Sequence, residues 1–353
     1  MFATTKMVDC CYVAAFLLVL SSFIPVLNAS AGDADPNYRS CVTECGETGC
    51  VGGKCFPECT ISLNGVPLNH SRNLIEKLIV QWKKGSCKNN CQYHCMIDRE
   101  EKRALLDHHD PIKYNGKWPY KCIYGIQEPA SVALLALNLA MHFHGWISFI
   151  SLLKNKLPLK VGKKAHYGYA GLWHVYGFLS VNAFFWCAVR HSRDMELTEK
   201  LDHSSTVALV GFSLILAILR TLNISNEANR VMISAPLTSF VTTHILYNCF
   251  MLDFGWNETI CQVLIVMQLT VWTIWGVINQ HPSRWKVLLV IFGSVVSLLL
   301  QAFDFPPYQG LIDAHALSLA STVPFAYLWW SFVRNDAEFL ASKRVKRSKM
   351  KSK

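Results

Sequence analysis

Charge is what this chain has least of. Only 16% of its 353 residues are Asp, Glu, Lys or Arg, whereas 52% are hydrophobic, and a soluble surface is ordinarily built from more charge than that. From about residue 129 onward the charges thin further, leaving apolar blocks near the roughly 20-residue length that a bilayer-crossing helix needs. The spans read near 129–153, 170–189, 205–221, 231–252, 260–279, 286–303 and 314–333. Acidic residues are scarcer than basic ones, 24 against 34, which leaves a net charge of +10. That excess is localised. Lys154, Lys156, Lys160, Lys163 and Lys164 fall in one loop, and Lys343, Arg344, Lys346, Arg347, Lys349, Lys351 and Lys353 in the tail. Seven crossings put loop and tail on the same side, so the basic balance follows the positive-inside rule and excludes a nucleic-acid footprint.

Residues 1–31 have the order of a secretory signal: Lys6, an apolar run from Ala14 to Val26, then Ala29-Ser30-Ala31 before a cleavage point. Cleavage would put residue 32 at the start of the mature chain in the lumen; a retained signal anchor is the rival reading. Residues 32–128 are poor in apolar residues but hold nine of the fourteen cysteines, Cys41, Cys45, Cys50, Cys55, Cys59, Cys87, Cys91, Cys95 and Cys122. A segment with so little core is expected to be stapled by disulfides in an oxidising compartment. A zinc knuckle around Cys91-x3-Cys95 is the rival reading, and an odd count leaves at least one thiol over. The sequons at Asn69 and Asn257 fall on the lumenal side and the one at Asn223 on the cytosolic side. The expected fold is an all-α membrane protein: a small disulfide-rich lumenal domain, seven transmembrane helices over 129–335, and a cytosolic basic tail over 336–353.

Ionisable groups at membrane depth are costly and usually line a functional cavity. Cys187 and His191 lie four apart, on one helix face and one turn from each other. Asp202 follows a polar loop at 193–200, and Asp313 and His315 open the last span from the same side. Three helices therefore bring thiol, imidazole and carboxylate to one lumenal pocket, the ingredients of a zinc or acid–base site. Asp202 and Asp313 each also fit a helix N-cap.

Several strings resemble the Per-one-like family of GPI-anchor remodelling proteins: Gly116-Lys-Trp-Pro119, Gln127-Glu-Pro-Ala-Ser131, His191-Ser-Arg-Asp194, Leu197-Thr-Glu-Lys-Leu-Asp202, Asp304-Phe-Pro-Pro307 and Asp313-Ala-His315. The resemblance runs in order from about residue 37 to 339 and implies membership of the CREST superfamily of seven-span, metal-dependent lipid hydrolases. It implies zinc held by His191 and His315, with Asp202 and the position of Cys187 in catalytic roles. The expected reaction is hydrolysis of the sn-2 acyl ester in the phosphatidylinositol lipid of GPI-anchored proteins, in the Golgi and endoplasmic reticulum membranes. The terminal Lys349-Met-Lys351-Ser-Lys353 resembles a dilysine retrieval signal. Two positions depart from the pattern. Cys187 stands for a serine, and Leu319 for the closing histidine of a His-x3-His pair, while Arg190 and His203 replace residues that are usually apolar or aromatic. A family member with impaired catalysis that binds or escorts GPI-anchored proteins, and a seven-span receptor, are the other two readings.

Overall fold

The computed structural model describes residues 30–57, 59, 74–107, 110–157, 167–251 and 253–351. Most of the expected signal segment, the sequon at Asn69, the loop cations Lys160, Lys163 and Lys164, and the terminal Lys353 lie outside the described residues.

Two helices with matched cysteine spacing build the amino-terminal unit. Helix α1 (Pro36–Thr48) opens on Pro36, with the Asp35 carboxylate accepting from the Asn37 N–H at 2.9 Å as its cap. Cys41 and Cys45 lie one turn apart on α1, and Cys91 and Cys95 one turn apart on α2 (Leu74–Asp107). Laid antiparallel, the two faces close as Cys41–Cys95 and Cys45–Cys91. Gly49 ends α1 in the left-handed region, φ 74°, where its N–H returns to the Cys45 carbonyl. A Cβ there would meet that of Cys59 at 2.9 Å. A small hairpin, β1 (Cys50–Val51) with β2 (Lys54–Cys55), is bridged by Cys50–Cys55, and Cys59–Cys87 completes the set. The odd thiol is Cys122, which is exposed. Stapling is thus borne out, and the zinc-knuckle reading is not: both of its sulfurs are in disulfides.

Seven long helices follow: α3 (Pro129–Asn155), α4 (Ala170–Ser192), α5 (Glu196–Thr221), α6 (Glu227–Phe250), α7 (Phe254–Ile278), α8 (Arg284–Phe303) and α9 (Ala314–Lys351). Among the described residues, six of them, all but α6, are long and apolar enough to cross a membrane. Those six pack side by side into a ring, α3–α4–α5–α7–α8–α9 and back to α3, whereas α6 packs on α5. Pro236 and a series of Ser, Thr, His and Asn side chains set α6 apart from its neighbours.

The burial pattern inverts that of a soluble protein. Phe143, Phe178 and Phe292 are at least half exposed on the outside of the bundle, while Asn138, Ser180 and Asp336 are wholly buried within it. Tryptophans fill the interior: Trp173, Trp272, Trp329 and Trp330 stack edge-on or tilted with Tyr176 and Phe332. Gly145 and Gly293 allow the helices to close on this core, since a Cβ at either would collide with the rings of Trp330 and Phe325.

Two boundaries differ most from expectation. Helix α5 starts at Glu196, so the expected polar loop of 193–200 shrinks to three residues; a Met195–Thr198 capping box begins the helix early. Helix α9 runs through residue 335 without a break because Asp336 anchors it. The Asp336 carboxylate pairs with Arg220 of α5, accepts the Tyr167 hydroxyl at 3.0 Å and lies 3.5 Å from His281. This network closes the end of the bundle opposite the disulfide unit. Finally, Asn257, expected to carry glycan, is buried, with its amide facing His203, His244 and Asn248. That leaves no room for a glycan on its nitrogen.

Candidate functional site

The site lies where the disulfide unit meets the ring. Residues 113–128 run across that end of the bundle as a strap, fixed at both sides. Asp304, which ends α8 in a left-handed conformation with φ 39°, accepts the Trp118 indole N–H at 3.1 Å and pairs with Lys113. The Lys121 N–H donates to the Gly310 carbonyl at 3.0 Å, and Lys117 pairs with Asp194. Asp194 and Asp304 belong to the strings His191-Ser-Arg-Asp194 and Asp304-Phe-Pro-Pro307; each holds the strap to the ring.

From the strap, two side chains reach the site. The Tyr120 hydroxyl donates to Asp313 Oδ2 at 2.6 Å. Burial, with the charges of Glu128 and Asp313, pushes the Tyr120 hydroxyl far above its ordinary range, which keeps it a donor. Glu128, the last residue before α3, meets His191 Nδ1 with Oε2 at 2.5 Å, and its backbone N–H donates to the His191 carbonyl. Burial alone would raise the Glu128 carboxyl, but His191, helped by His315 and Lys117, lowers it to about 2. It is a carboxylate locked onto one ring nitrogen, the arrangement that fixes a histidine tautomer.

All four expected site residues come to this end. Cys187 and His191 lie on the last turns of α4, and Asp202 is seven residues into α5, inside the helix; the N-cap reading does not apply to it. Asp313 does cap α9, with Oδ1 accepting the Ala316 N–H at 2.8 Å. The His191 and His315 rings stack 5.0 Å apart at 15°. Cys187 lies beside Asp202 and Arg190. Arg190 bridges the centre: its Nε donates to Asp202 Oδ2 at 2.6 Å, and its Nη2 is 3.2 Å from His191 Nε2. Asp202 Oδ1 and His315 Nε2 are buried without a hydrogen-bond partner. Leu319, one turn below His315, is buried and offers only its backbone carbonyl, to Asn138.

Tested against a metal, this donor set falls short. Zinc in protein sites takes three or four ligands that converge at about 2.0–2.3 Å. Here the two imidazoles are stacked face to face, the third ligand position is a leucine, and a guanidinium faces both His191 Nε2 and Asp202. Among the described residues, one group of three donors lies within mutual metal-binding range, the sulfurs of Cys59, Cys87 and Cys91, a cluster that by distance could hold a metal. Those sulfurs are joined instead as Cys59–Cys87 and Cys45–Cys91.

Glu128 and Tyr120 are functional-site residues that sequence reasoning missed. Both lie outside the apolar spans, and only the string Gln127-Glu-Pro-Ala-Ser131 marked the neighbourhood of Glu128.

The model of the Per1-like family matches residues 77–337. A human protein named GPI-specific phospholipase A2-like PGAP3 is 29% identical over 332 residues, 93% of this chain and 95% of its own length. The Danio rerio protein of the same name is 29% identical over 92% of this chain and 94% of its own. The PER1 homolog of Schizosaccharomyces pombe is 29% identical over 90% of each. No solved structure matches.

Proposed function

The chain belongs to the Per1-like family, and from that premise we propose that it hydrolyses the sn-2 acyl ester of the phosphatidylinositol lipid on GPI-anchored proteins. GPI-anchor remodelling is the general role that its relatives support, and their printed name, phospholipase A2-like, points to the hydrolase class. The observation that carries the finer reading is the Glu128–His191 pair beside Asp202 at the strap-covered end of the bundle. We further propose that all seven helices span, α6 included, that this end faces the lumen, and that the chain works in Golgi and endoplasmic reticulum membranes.

With Nδ1–H held by Glu128, His191 keeps its Nε2 lone pair for a water proton. The water oxygen attacks the acyl carbon, His191 takes the proton, and the departing glycerol oxygen receives it, giving a lyso-lipid and a fatty acid. Water displaces only the Arg190 Nη2 contact at His191 Nε2; Nε stays on Asp202, and the guanidinium beside the site offsets the charge developing on the carbonyl oxygen. Zinc, which the resemblance implies, is not accommodated by the donors as they stand, and no step runs through it.

A second reading, binding without turnover, is favoured by Arg190 against His191 Nε2 and by Leu319. Mass spectrometry of GPI lipids in cells that lack this chain separates the two when complemented with wild type or His191→Ala. Hydrolysis predicts that only wild type restores remodelled chains. Binding without turnover predicts that both restore them.

A further inference from the structure

We infer that Arg190 is the resident cation of this site, occupying with its guanidinium the volume in which a divalent metal would have to sit. A zinc ion bound to both His191 Nε2 and Asp202 would lie about 2 Å from each. The guanidinium already spans that interval, with Nε 2.6 Å from Asp202 Oδ2 and Nη2 3.2 Å from His191 Nε2. Its position is enforced on both sides: α4 carries Arg190 and His191, and α5 brings Asp202 against them in the second turn of that helix.

The remaining donors do not make up a second site. Glu128 Oε2 is on His191 Nδ1, and Asp313 holds the Tyr120 hydroxyl with one oxygen and the Ala316 N–H with the other. His315 stacks at 15° over His191, so the nitrogen lone pairs of the two rings lie in nearly parallel planes and do not converge on one point. Leu319 supplies no side-chain donor on the next turn of α9. Charge agrees with geometry. Asp202 is neutralised by Arg190 and Glu128 faces His191, so a dication would enter beside a fixed guanidinium; the unpaired Oδ1 of Asp202 belongs to a carboxylate whose charge Arg190 already offsets. Ordinarily an Arg beside a metal site is a repulsive neighbour; here it forms the ion pair itself. Chemistry at this end of the bundle is then independent of bound metal, and the positive group that meets a substrate anion is the arginine.

Metal content of the detergent-purified full chain tests this without reference to turnover, and a metal-free chain that fails to hydrolyse lipid sinks the hydrolysis proposal while leaving this one intact. Wild type is expected to carry well below one zinc per chain, and neither zinc nor chelator should move its melting temperature. Leu319→His alone should behave the same way, because the guanidinium still fills the centre. Arg190→Met with Leu319→His should gain about one zinc per chain and melt higher when zinc is added, and adding His191→Ala should remove both effects. Arg190→Lys, which keeps the charge, should stay metal-free. Stoichiometric zinc in wild type that is lost with His191→Ala would overturn the inference. So would zinc uptake by Leu319→His alone, or a double variant that takes up no more zinc than wild type. Should the double variant fail to fold, wild type and Leu319→His alone still decide it.

Discussion

At the scale of single residues, the site depends on who holds His191. Glu128 fixes Nδ1, and its carboxyl, lowered to about 2, makes that contact pH-dependent in a definite direction. A carboxyl lowered by folding contributes stability that is fully present above its ordinary value, here 4.5, and is lost as the pH falls through 4.5 toward 2. The unfolding midpoint of Glu128→Gln should therefore lie below that of wild type by a constant margin above about pH 5, and the gap should narrow as the pH drops toward 2. A gap unchanged down to pH 2 would mean that the carboxylate is not the stabilising species. Little of this was legible in the sequence. Cys187, His191, Asp202 and His315 announced themselves as ionisable groups in apolar spans, but Glu128 sits just before a span, where a charge is ordinary. Arg190 was legible as a departure from the family pattern, yet its bond to Asp202 depends on the crossing of α4 and α5.

At the scale of elements, the cysteine count foretold stapling, and the two Cys-x3-Cys repeats hold the pairing once α1 and α2 are seen to run antiparallel. Tryptic peptides of the unreduced chain should join the peptide carrying Cys41 and Cys45 to the one carrying Cys91 and Cys95, and the peptide of Cys59 to that of Cys87, with Cys122 open to alkylation. Alkylation of Cys91 or Cys95 in the native chain would contradict that pairing. The far end of the bundle was not legible at all, because Arg220 and Asp336 are 116 residues apart and one of them lay beyond the expected last span. Removing one partner of a buried pair leaves the other uncompensated, so Asp336→Ala should destabilise the fold by about 3–5 kcal/mol. Arg220→Met in the same chain should recover most of that loss. Denaturant midpoints in detergent read both, and an Asp336→Ala chain as stable as wild type would show that the pair is not what ties α5 to α9.

For the whole molecule, composition alone indicated a membrane protein, and six helices meet the length and hydropathy of a span. By sequence, 231–252 counts as a span like the others, but the polar side chains of α6 leave that helix outside the six. If all seven helices cross with the disulfide unit in the lumen, a glycosylation acceptor inserted beside Asn115, an exposed turn of the strap, should be modified, and one appended after Lys353 should not. Glycan on the tail would reverse the orientation. The strap, the Glu128–His191 pair and the Arg190–Asp202 bridge all serve one claim, that acyl ester hydrolysis runs through His191. The most direct measurement is fatty-acid release from a GPI-anchored protein labelled in its sn-2 chain, using purified wild type and His191→Ala in the presence of chelator. Wild type should release the labelled fatty acid, and His191→Ala should lose about 100-fold or more of that rate, the scale of general acid–base catalysis. Equal release by both proteins, or release by neither, would contradict that claim.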